Sequence, residues 1–208
     1  MELFTTLTGV AACLPQANID TDVIMPKQFL KGITRDDLSR GLFYDLRFDG
    51  NGCEREGFIL NMPAYRQARF LIVGPNFGCG SSREHAVWGL RQFGIRAIIG
   101  TSFASIFKDN CFRNGVLPIT LEAQAHSRIE GLCAEPRQAV LDVDLQQCTI
   151  TLFDGARVQF EIDAFRRSDL LNGRDPVAST LQHASAIKTF ELNHWLASPW
   201  LKPPTAGA

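Results

Sequence analysis

The sequence predicts an α/β domain with a mixed sheet, in which a parallel βαβαβ core precedes a C-terminal hairpin and helices. The first observation is a set of three short apolar runs, at residues 69–73, 95–100 and 116–121. The second is that helical patterns separate these runs, which is the spacing of parallel strands joined by crossover helices. The third is Asp154-Gly155, which lies between two stretches of alternating apolar and polar residues and predicts a hairpin turn.

The first third of the chain predicts one strand followed mostly by loops. Residues 3–15, "LFTTLTGVAACLP", have the β-branched content of a strand and end at a proline. Residues 17–31, "ANIDTDVIMPKQFLK", indicate a loop in which acidic residues cluster. A short helix interrupted at Gly41 is predicted over residues 34–47, and an exposed loop rich in glycine and charge over residues 48–57.

Two helices are predicted between the three core strands. The first covers residues 81–93 and ends at Gly94, and the second covers residues 102–115 and also ends at a glycine. After the third strand, residues 122–135 have a helical composition. The stretch 139–163 then carries the predicted hairpin.

The last part of the chain predicts one or two helices between residues 163 and 196, split near Gly173 and Pro176. A chain of 208 residues is long enough to bury a full core in one domain. We therefore predict a single domain over residues 1–196 and a flexible, Pro-rich tail over residues 197–208.

The composition excludes several classes of protein. The 21 basic and 22 acidic residues nearly cancel, so the chain lacks the electrostatic footprint of a nucleic-acid binder. Its apolar runs are too short to cross a bilayer, and its first residues have neither the basic region nor the apolar stretch of a secretory signal. We expect a cytoplasmic protein that contacts neither nucleic acid nor membrane.

Six cysteines are scattered along the chain, with no two at the CxxC spacing and no histidine-rich segment beside them. In a chain without a secretory signal, we expect these thiols to stay reduced. The scatter shows no recognisable frame for a zinc ion or an iron–sulfur cluster held by this chain itself.

The stretch "NFGCGSSREH", residues 76–85, has two explanations. In the structural one, Ser81 and Glu84 form a capping box ahead of an apolar helix, and the glycines make the turn before it. In the functional one, the turn directs backbone N–H groups and the helix dipole at the place where open α/β folds bind ligands. An anion there would meet Ser81, Ser82 and Arg83, and the planar fork of an arginine suits a carboxylate.

Three common motifs do not fit this stretch. A phosphate-binding P-loop needs a lysine that is absent, and the dinucleotide fingerprint has a third glycine where this chain has Arg83. The spacing around Ser81 also differs from the nucleophile elbow of hydrolases. A small carboxylic acid remains the best fit.

Two reactive side chains beside the serines have structural explanations. Cys79 lies between two glycines, where a small residue fills a tight turn. His85 begins the packed face of the predicted helix, so we expect it to be structural rather than catalytic.

Four stretches together resemble one family. They are "NIDTDVIMPKQFL", "NFGCGSSREHAVWGL", "IGTSFASIFKDNCFRNGVLPI" and "IDAFRRSDLLNG". The second resembles the signature of the swivelling domain of the aconitase superfamily. The whole set resembles the small subunits of 3-isopropylmalate dehydratase (isopropylmalate isomerase), which implies a single swivelling β/β/α domain over residues 1–196.

The resemblance implies a role for each residue of the turn. Ser81 acts as the general base at the substrate carbon that loses a proton, and Ser82 and Arg83 hold a substrate carboxylate. Because a serine hydroxyl ionises far above neutral pH, its ionised form needs stabilisation by the helix-terminus amides and the adjacent guanidinium. Ser82 is available to cap the helix if Ser81 is the base, and the sequence does not decide which of them caps it.

The resemblance also implies substrate binding by an acidic cluster at the edge of the same cleft, Asp20, Thr21 and Asp22. Where aconitases have an arginine that grips a third carboxylate, this chain has Ile33 or its neighbour Gly32, with Lys31 beside them. We count Lys31 and Ile33 among the substrate-binding residues. An apolar residue suits an isopropyl group, because an unpaired guanidinium buried against an alkyl group is costly.

The family's reaction removes water from 2-isopropylmalate and adds it back to give 3-isopropylmalate, a step of leucine biosynthesis. The superfamily uses a [4Fe-4S] cluster, and this chain has no spaced cysteine trio to hold one. The resemblance therefore implies that the cluster sits on a separate large subunit. This chain is then expected to be active only as a complex with that subunit.

Two other functions stay open at this point. If a basic side chain such as Lys31 points into the pocket, the chain fits the small subunit of homoaconitase or of a related hydro-lyase. If the turn only binds a carboxylate, the chain is a non-catalytic binding module.

Overall fold

The computed structural model describes residues 1–30, 38–81 and 83–202, and these residues form a mixed sheet of seven strands. The strands are β1 (Thr6–Leu14), β2 (Phe70–Val73), β3 (Ala97–Gly100), β4 (Leu117–Thr120), β5 (Val140–Asp144), β6 (Thr149–Thr151) and β7 (Arg157–Gln159). Their order across the sheet is β4-β3-β2-β1-β5-β6-β7. The first strand of the chain therefore lies in the middle of the sheet.

Nine α-helices occur within the described residues. They are α1 (Thr21–Ile24), α2 (Leu38–Gly41), α3 (Tyr44–Arg47), α4 (Glu84–Phe93), α5 (Ser105–Arg113), α6 (Ala123–Cys133), α7 (Ala164–Leu171), α8 (Pro176–Leu181) and α9 (Ala184–Ala197). None of them is both long enough and apolar enough to cross a membrane.

The parallel half of the sheet contains β1, β2, β3 and β4. Every residue of β2 and β3 is buried, as expected for parallel strands whose two faces are covered. Helix α4 links β2 to β3, and helix α5 links β3 to β4. The predicted βαβαβ core is therefore confirmed.

The antiparallel half contains β5, β6 and β7, and β5 pairs with the other side of β1. The predicted hairpin turn joins β6 to β7, where Gly155 has a φ of 78° and Asp154 Oδ1 accepts a hydrogen bond from Ala156 N at 2.9 Å. The sequence pattern did not indicate the turn between β5 and β6, which ends at Cys148 with a φ of 52°. The stretch therefore forms three strands.

Several predicted boundaries change in the structure. The predicted loop over residues 17–31 contains α1 and a 3-10 turn at Lys27–Phe29. The predicted helix over residues 34–47 forms α2 and α3, separated at Phe43, which has a left-handed φ of 50°. Residues 31–37 lie outside the described part of the chain.

The C-terminal region forms three helices, α7, α8 and α9, where the sequence predicts one or two. The predicted break is confirmed, because Gly173 has a φ of 63° and Pro176 is the first residue of α8. Helix α9 ends at Ala197, and a 3-10 turn follows at Pro199–Leu201. The flexible tail predicted for residues 197–208 stays a prediction, since residues 203–208 are outside the described residues.

Candidate functional site

The glycine-serine turn, residues 74–83, leaves the carboxyl end of β2 and leads into α4. It lies alongside residues 18–22, which we call the acidic segment. Three backbone hydrogen bonds join the two segments: Asn18 N to Pro75 O (2.9 Å), Gly78 N to Ile19 O (2.8 Å) and Thr21 N to Cys79 O (2.9 Å). These bonds continue the parallel pairing of β1 and β2 beyond the sheet. The structure therefore places the acidic segment beside the turn, although the two are far apart in the sequence.

The opposite side of the turn is held by the loop after β3. Phe77 N donates to Ser102 O at 3.3 Å, and Ala104 N donates to Phe77 O at 3.1 Å. Asn76 N also donates to Ser102 Oγ at 2.8 Å. The Phe77 side chain is fully buried, and its ring meets the Phe107 ring edge-on with the centroids 5.4 Å apart. The turn is thus held between the segments that follow β1 and β3, the strands on either side of β2.

Two glycines in the turn are required by its geometry. Gly78 and Gly80 have φ angles of 76° and 84°, in the left-handed region that favours glycine. A Cβ on Gly78 would lie 2.2 Å from Cγ of Phe107. A Cβ on Gly80 would lie 3.2 Å from Cβ of Asp20, so this glycine lets the acidic segment approach closely.

We expect Gly78→Ala to lower the free energy of unfolding by about 2–5 kcal/mol, because the left-handed backbone and the clash with the Phe107 ring both oppose a methyl group. Urea denaturation of the purified chain measures this loss. The matched control is Gly52→Ala, since Gly52 has a φ of 79° and no atom within 4 Å of the added carbon. Its expected cost is only about 1–2 kcal/mol. Equal losses in the two variants would contradict the proposed clash.

The start of α4 differs from the predicted capping box. The helix begins at Glu84, with Arg83 at the N-cap position and no cap hydrogen bond from its side chain. Glu84 Oε1 accepts a hydrogen bond from Asn114 Nδ2 at 2.7 Å, so this carboxylate joins α4 to the end of α5. Ser81 is exposed and lies just before the positive end of the helix dipole.

Arg83 extends from the turn to the acidic segment. Its Nη1 forms an ion pair with Oδ1 of Asp22, and the Arg83 side chain is only 15% exposed. The Asp22 side chain is 43% exposed, although the two paired atoms are themselves buried. Because a guanidinium carries five N–H donors, this contact alone does not exhaust the capacity of Arg83 for a second anion.

The three residues of the acidic cluster have different environments. Asp20 Oδ1 accepts a hydrogen bond from Val23 N at 2.8 Å and caps α1. Thr21 is buried, with 1% of its surface exposed, and its hydroxyl donates to the backbone carbonyl of Ser81. Of the three, Asp22 is the one whose carboxylate pairs with Arg83.

Three other predicted substrate-binding residues, Lys31, Ile33 and Ser82, lie outside the described residues. An open depression beside the ion pair adds residues that the sequence did not single out. It is lined by Asp22, Pro26, Lys27, Gln28 and Asp45. Lys27 places a positive charge there. Its position in the same loop as the acidic cluster was the signal by which the sequence could have indicated it.

Cys79 and His85 have structural contacts. Cys79 Sγ donates to Asn18 O at 3.4 Å and so contributes to the pairing of the two segments. The His85 ring packs against the Trp88 ring, with the centroids 4.6 Å apart. Both contacts agree with the structural roles that the sequence predicts.

The described residues do not fit an iron–sulfur cluster. They contain no group of three or more His, Cys, Asp or Glu side chains placed to hold a metal ion. Cys13 and Cys133 are neighbours, and the hydrogen bond between their thiols raises the pKa of Cys13 and lowers that of Cys133. Two thiols fall short of the three or four ligands that such a cluster requires.

Comparisons with known families and structures agree with this fold. The Aconitase C-terminal domain family matches residues 1–124, and a second family, the C-terminal domain of the 3-isopropylmalate dehydratase small subunit, matches residues 177–204. The crystal structure of 3-isopropylmalate dehydratase from Methanocaldococcus jannaschii has a TM-score of 0.64 and 24% identity, covering 89% of this chain and 99% of that one. This likeness shows the fold.

Closer relatives are found by sequence. The 3-isopropylmalate dehydratase small subunit of Jannaschia sp. (strain CCS1) is 52% identical over 201 residues, which cover 97% of this chain and all of the relative. That of Phenylobacterium zucineum (strain HLK1) is 52% identical over 204 residues, covering 97% and 99%. The 3-isopropylmalate dehydratase small subunit 2 of Salmonella typhimurium (strain LT2) is 48% identical over 206 residues, covering 99% of each chain.

Proposed function

The chain belongs to the family of 3-isopropylmalate dehydratase small subunits in the aconitase superfamily, and on that premise we propose that the glycine-serine turn forms its part of the active site. Members of the family work with a large subunit as a hydro-lyase in leucine biosynthesis. The observation that carries the proposal is the meeting of Ser81, Arg83 and the acidic segment at the carboxyl edge of the parallel strands.

Ser81 is the proposed general base. Dehydration needs a group that takes a proton from one carbon while hydroxide leaves the neighbouring carbon. Ser81 is exposed just before α4, where the positive end of the helix dipole and the Arg83 guanidinium stabilise an ionised hydroxyl. When water adds back, the same hydroxyl returns the proton, so that 2-isopropylmalate and 3-isopropylmalate interconvert through isopropylmaleate.

Arg83 is the proposed site for a substrate carboxylate. Its ion pair with Asp22 holds the guanidinium over the acidic segment, and its low exposure limits the competition of water for its donors. An arginine can bind a carboxylate through two parallel N–H bonds, which fixes the orientation of the substrate as well as its position. Orientation matters here because the proton to be removed must face Ser81.

We expect Arg83→Lys to raise the KM for 2-isopropylmalate by about 10–100-fold in the enzyme assembled from both chains, because a lysine cannot reproduce the two-bond contact. The rate of isopropylmaleate formation, followed by its absorbance under anaerobic conditions, gives KM. Arg66→Lys is the matched control, since Arg66 forms an exposed ion pair with Glu54 away from the turn. An unchanged KM in Arg83→Lys would remove the carboxylate role. Full activity of the large subunit alone would favour the binding-module alternative.

The names of the relatives favour isopropylmalate over the homoaconitase alternative. We propose that Ile33 accommodates the isopropyl group, as the resemblance to aconitases implies. Since the described residues of this chain do not fit an iron–sulfur cluster, we assign the cluster to the large subunit. The cytoplasmic location stays a prediction.

The C-terminal arm, residues 182–202, exposes a large apolar surface. It contains α9 and the 3-10 turn after it, and its large side chains include Phe190 (67% exposed), Leu196 (80%) and Trp200 (79%). Helices with apolar residues on several sides are usually buried, and an isolated helix of 14 residues is marginal in water. The arm therefore needs a covering surface.

We assign the large subunit as the surface that covers the C-terminal arm. The arm lies within residues 177–204, the segment that matches the C-terminal domain family of 3-isopropylmalate dehydratase small subunits. This segment is characteristic of small subunits, and it is apolar and exposed in the single chain. Such a surface is suited to contact the large subunit, the partner that these subunits share.

A further inference from the structure

Thr21 is a buried polar residue within the acidic segment. Only 1% of its surface is exposed. Its backbone N–H donates to Cys79 O at 2.9 Å, and its hydroxyl donates to Ser81 O. Thr21 therefore contacts the glycine-serine turn twice, on both sides of Gly80.

The hydroxyl contact acts next to Gly80, one of the glycines of the turn. Gly80 has a φ of 84°, which any non-glycine residue would resist, and Gly80 carries no side chain to restrict its rotation. The backbone hydrogen bonds between the two segments reach only as far as Cys79. The bond from the Thr21 hydroxyl extends the pairing across Gly80 to Ser81.

The residues on either side of Thr21 are themselves held firmly. Met25, at the end of α1, is fully buried and contacts α4 closely: a Cβ on Gly89 would lie 2.3 Å from Met25 Cε. Asp20 caps the start of α1. The Thr21 hydroxyl therefore belongs to a rigid segment, whereas Ser81 is exposed.

We propose that Thr21 is a positioning residue for the dehydratase reaction: its hydroxyl holds the Ser81 carbonyl and so fixes the direction of the Ser81 side chain. The inference rests on the proposed role of Ser81. It differs from the substrate-binding role that the family resemblance implies for Thr21, because a buried hydroxyl already bonded to the backbone does not face the substrate.

The test compares Thr21→Val with Thr21→Ser in the enzyme assembled from both chains. Valine keeps the shape and the backbone N–H but removes the hydroxyl, whereas serine keeps the hydroxyl. We expect Thr21→Val to lower kcat by about 10–100-fold with KM changed less than about 3-fold, because a misplaced base slows proton transfer without weakening the carboxylate site. We expect Thr21→Ser to stay within about 3-fold of the wild-type kcat. Rates are normalised to the amount of assembled enzyme.

Hydrogen exchange on the full chain without its partner gives a second measurement that does not depend on assembly. We expect the peptide containing residues 78–84 to exchange faster in Thr21→Val than in the wild type and in Thr21→Ser. If Thr21 had a merely structural role, kcat would fall equally in Thr21→Val and Thr21→Ser. Hydrogen exchange would then also become faster throughout α1 and α4.

The outcomes separate this inference from the proposed function. If Ser81→Ala is inactive and Thr21→Val is fully active, the positioning role is wrong while the role of Ser81 stands. Equal losses in the valine and serine variants would also overturn the positioning role. If Ser81→Ala retains wild-type activity, both proposals fail.

Discussion

Replacement of Ser81 by alanine is expected to lower kcat of the assembled enzyme by about 10²–10⁴-fold, the usual contribution of a positioned general base. The substitution removes one exposed oxygen at the start of α4 and leaves the backbone contacts of the turn in place. KM is expected to change little, because the proposed carboxylate site at Arg83 is intact. Steady-state rates in both directions of the isomerisation provide the measurement.

Ser127→Ala is the matched control for this experiment. Ser127 is an exposed serine on α6, and its hydroxyl has no part in the proposed site. Its variant is expected to have wild-type kcat and KM. A kcat for Ser81→Ala within about 3-fold of this control would show that another group takes the proton, while a carboxylate-binding role for the turn would survive. Gel filtration of each variant mixed with its partner verifies that the assembly has formed.

Removal of the C-terminal arm is expected to weaken assembly with the large subunit strongly. A chain that ends at Leu181 loses α9, whose residues are almost all exposed, so the thermal midpoint of the remaining domain is expected to shift by only a few degrees. Binding to the large subunit, measured by calorimetry or gel filtration, is expected to weaken by at least about 10²–10³-fold, because a few buried anchors, aromatic ones above all, contribute most of the energy of such interfaces.

A full-length variant separates the apolar surface from the length of the chain. Phe190→Ser, Leu196→Ser and Trp200→Ser together are expected to weaken binding as much as the truncation does, since these side chains are 67–80% exposed in the single chain. Phe153→Ser is the matched control: Phe153 is 60% exposed, but it lies at the β6–β7 turn. If the triple variant binds the large subunit normally but abolishes a dimer of this chain, the covering surface is a second copy.

The order of residues along the chain was sufficient to predict the parallel core. Parallel strands buried on both faces are continuous apolar runs, and "FLIV" and "AIIG" became β2 and β3. The hairpin at Asp154-Gly155 was equally clear, because the chemistry of a tight turn is local. The chemistry of the turn after β2 was also visible, since its glycines, serines and arginine are consecutive.

The start of α4 shows where local patterns failed. Ser81 and Glu84 have the spacing of a capping box, yet the Glu84 carboxylate bonds to Asn114, 30 residues away in the sequence. A capping box is recognised from neighbouring residues alone. The pattern therefore cannot show a hydrogen-bond partner that another helix supplies. The C-terminal region has three helices instead of the predicted one or two for a similar reason. Helical composition alone does not show how many separate helices form when few other residues pack against them.

The sequence by itself determined the fold class, the core strands, and the residue types of the proposed carboxylate site and base, because these depend on patterns within a few residues of one another. Only the tertiary structure decided that β1 lies at the centre of the sheet, that Asp22 pairs with Arg83, and that Thr21 bonds to Ser81 across 60 residues of chain. Such contacts depend on which strand ends meet in space. Backbone pairing beyond the end of β1 and β2 is the physical reason that the acidic segment and the turn meet at all.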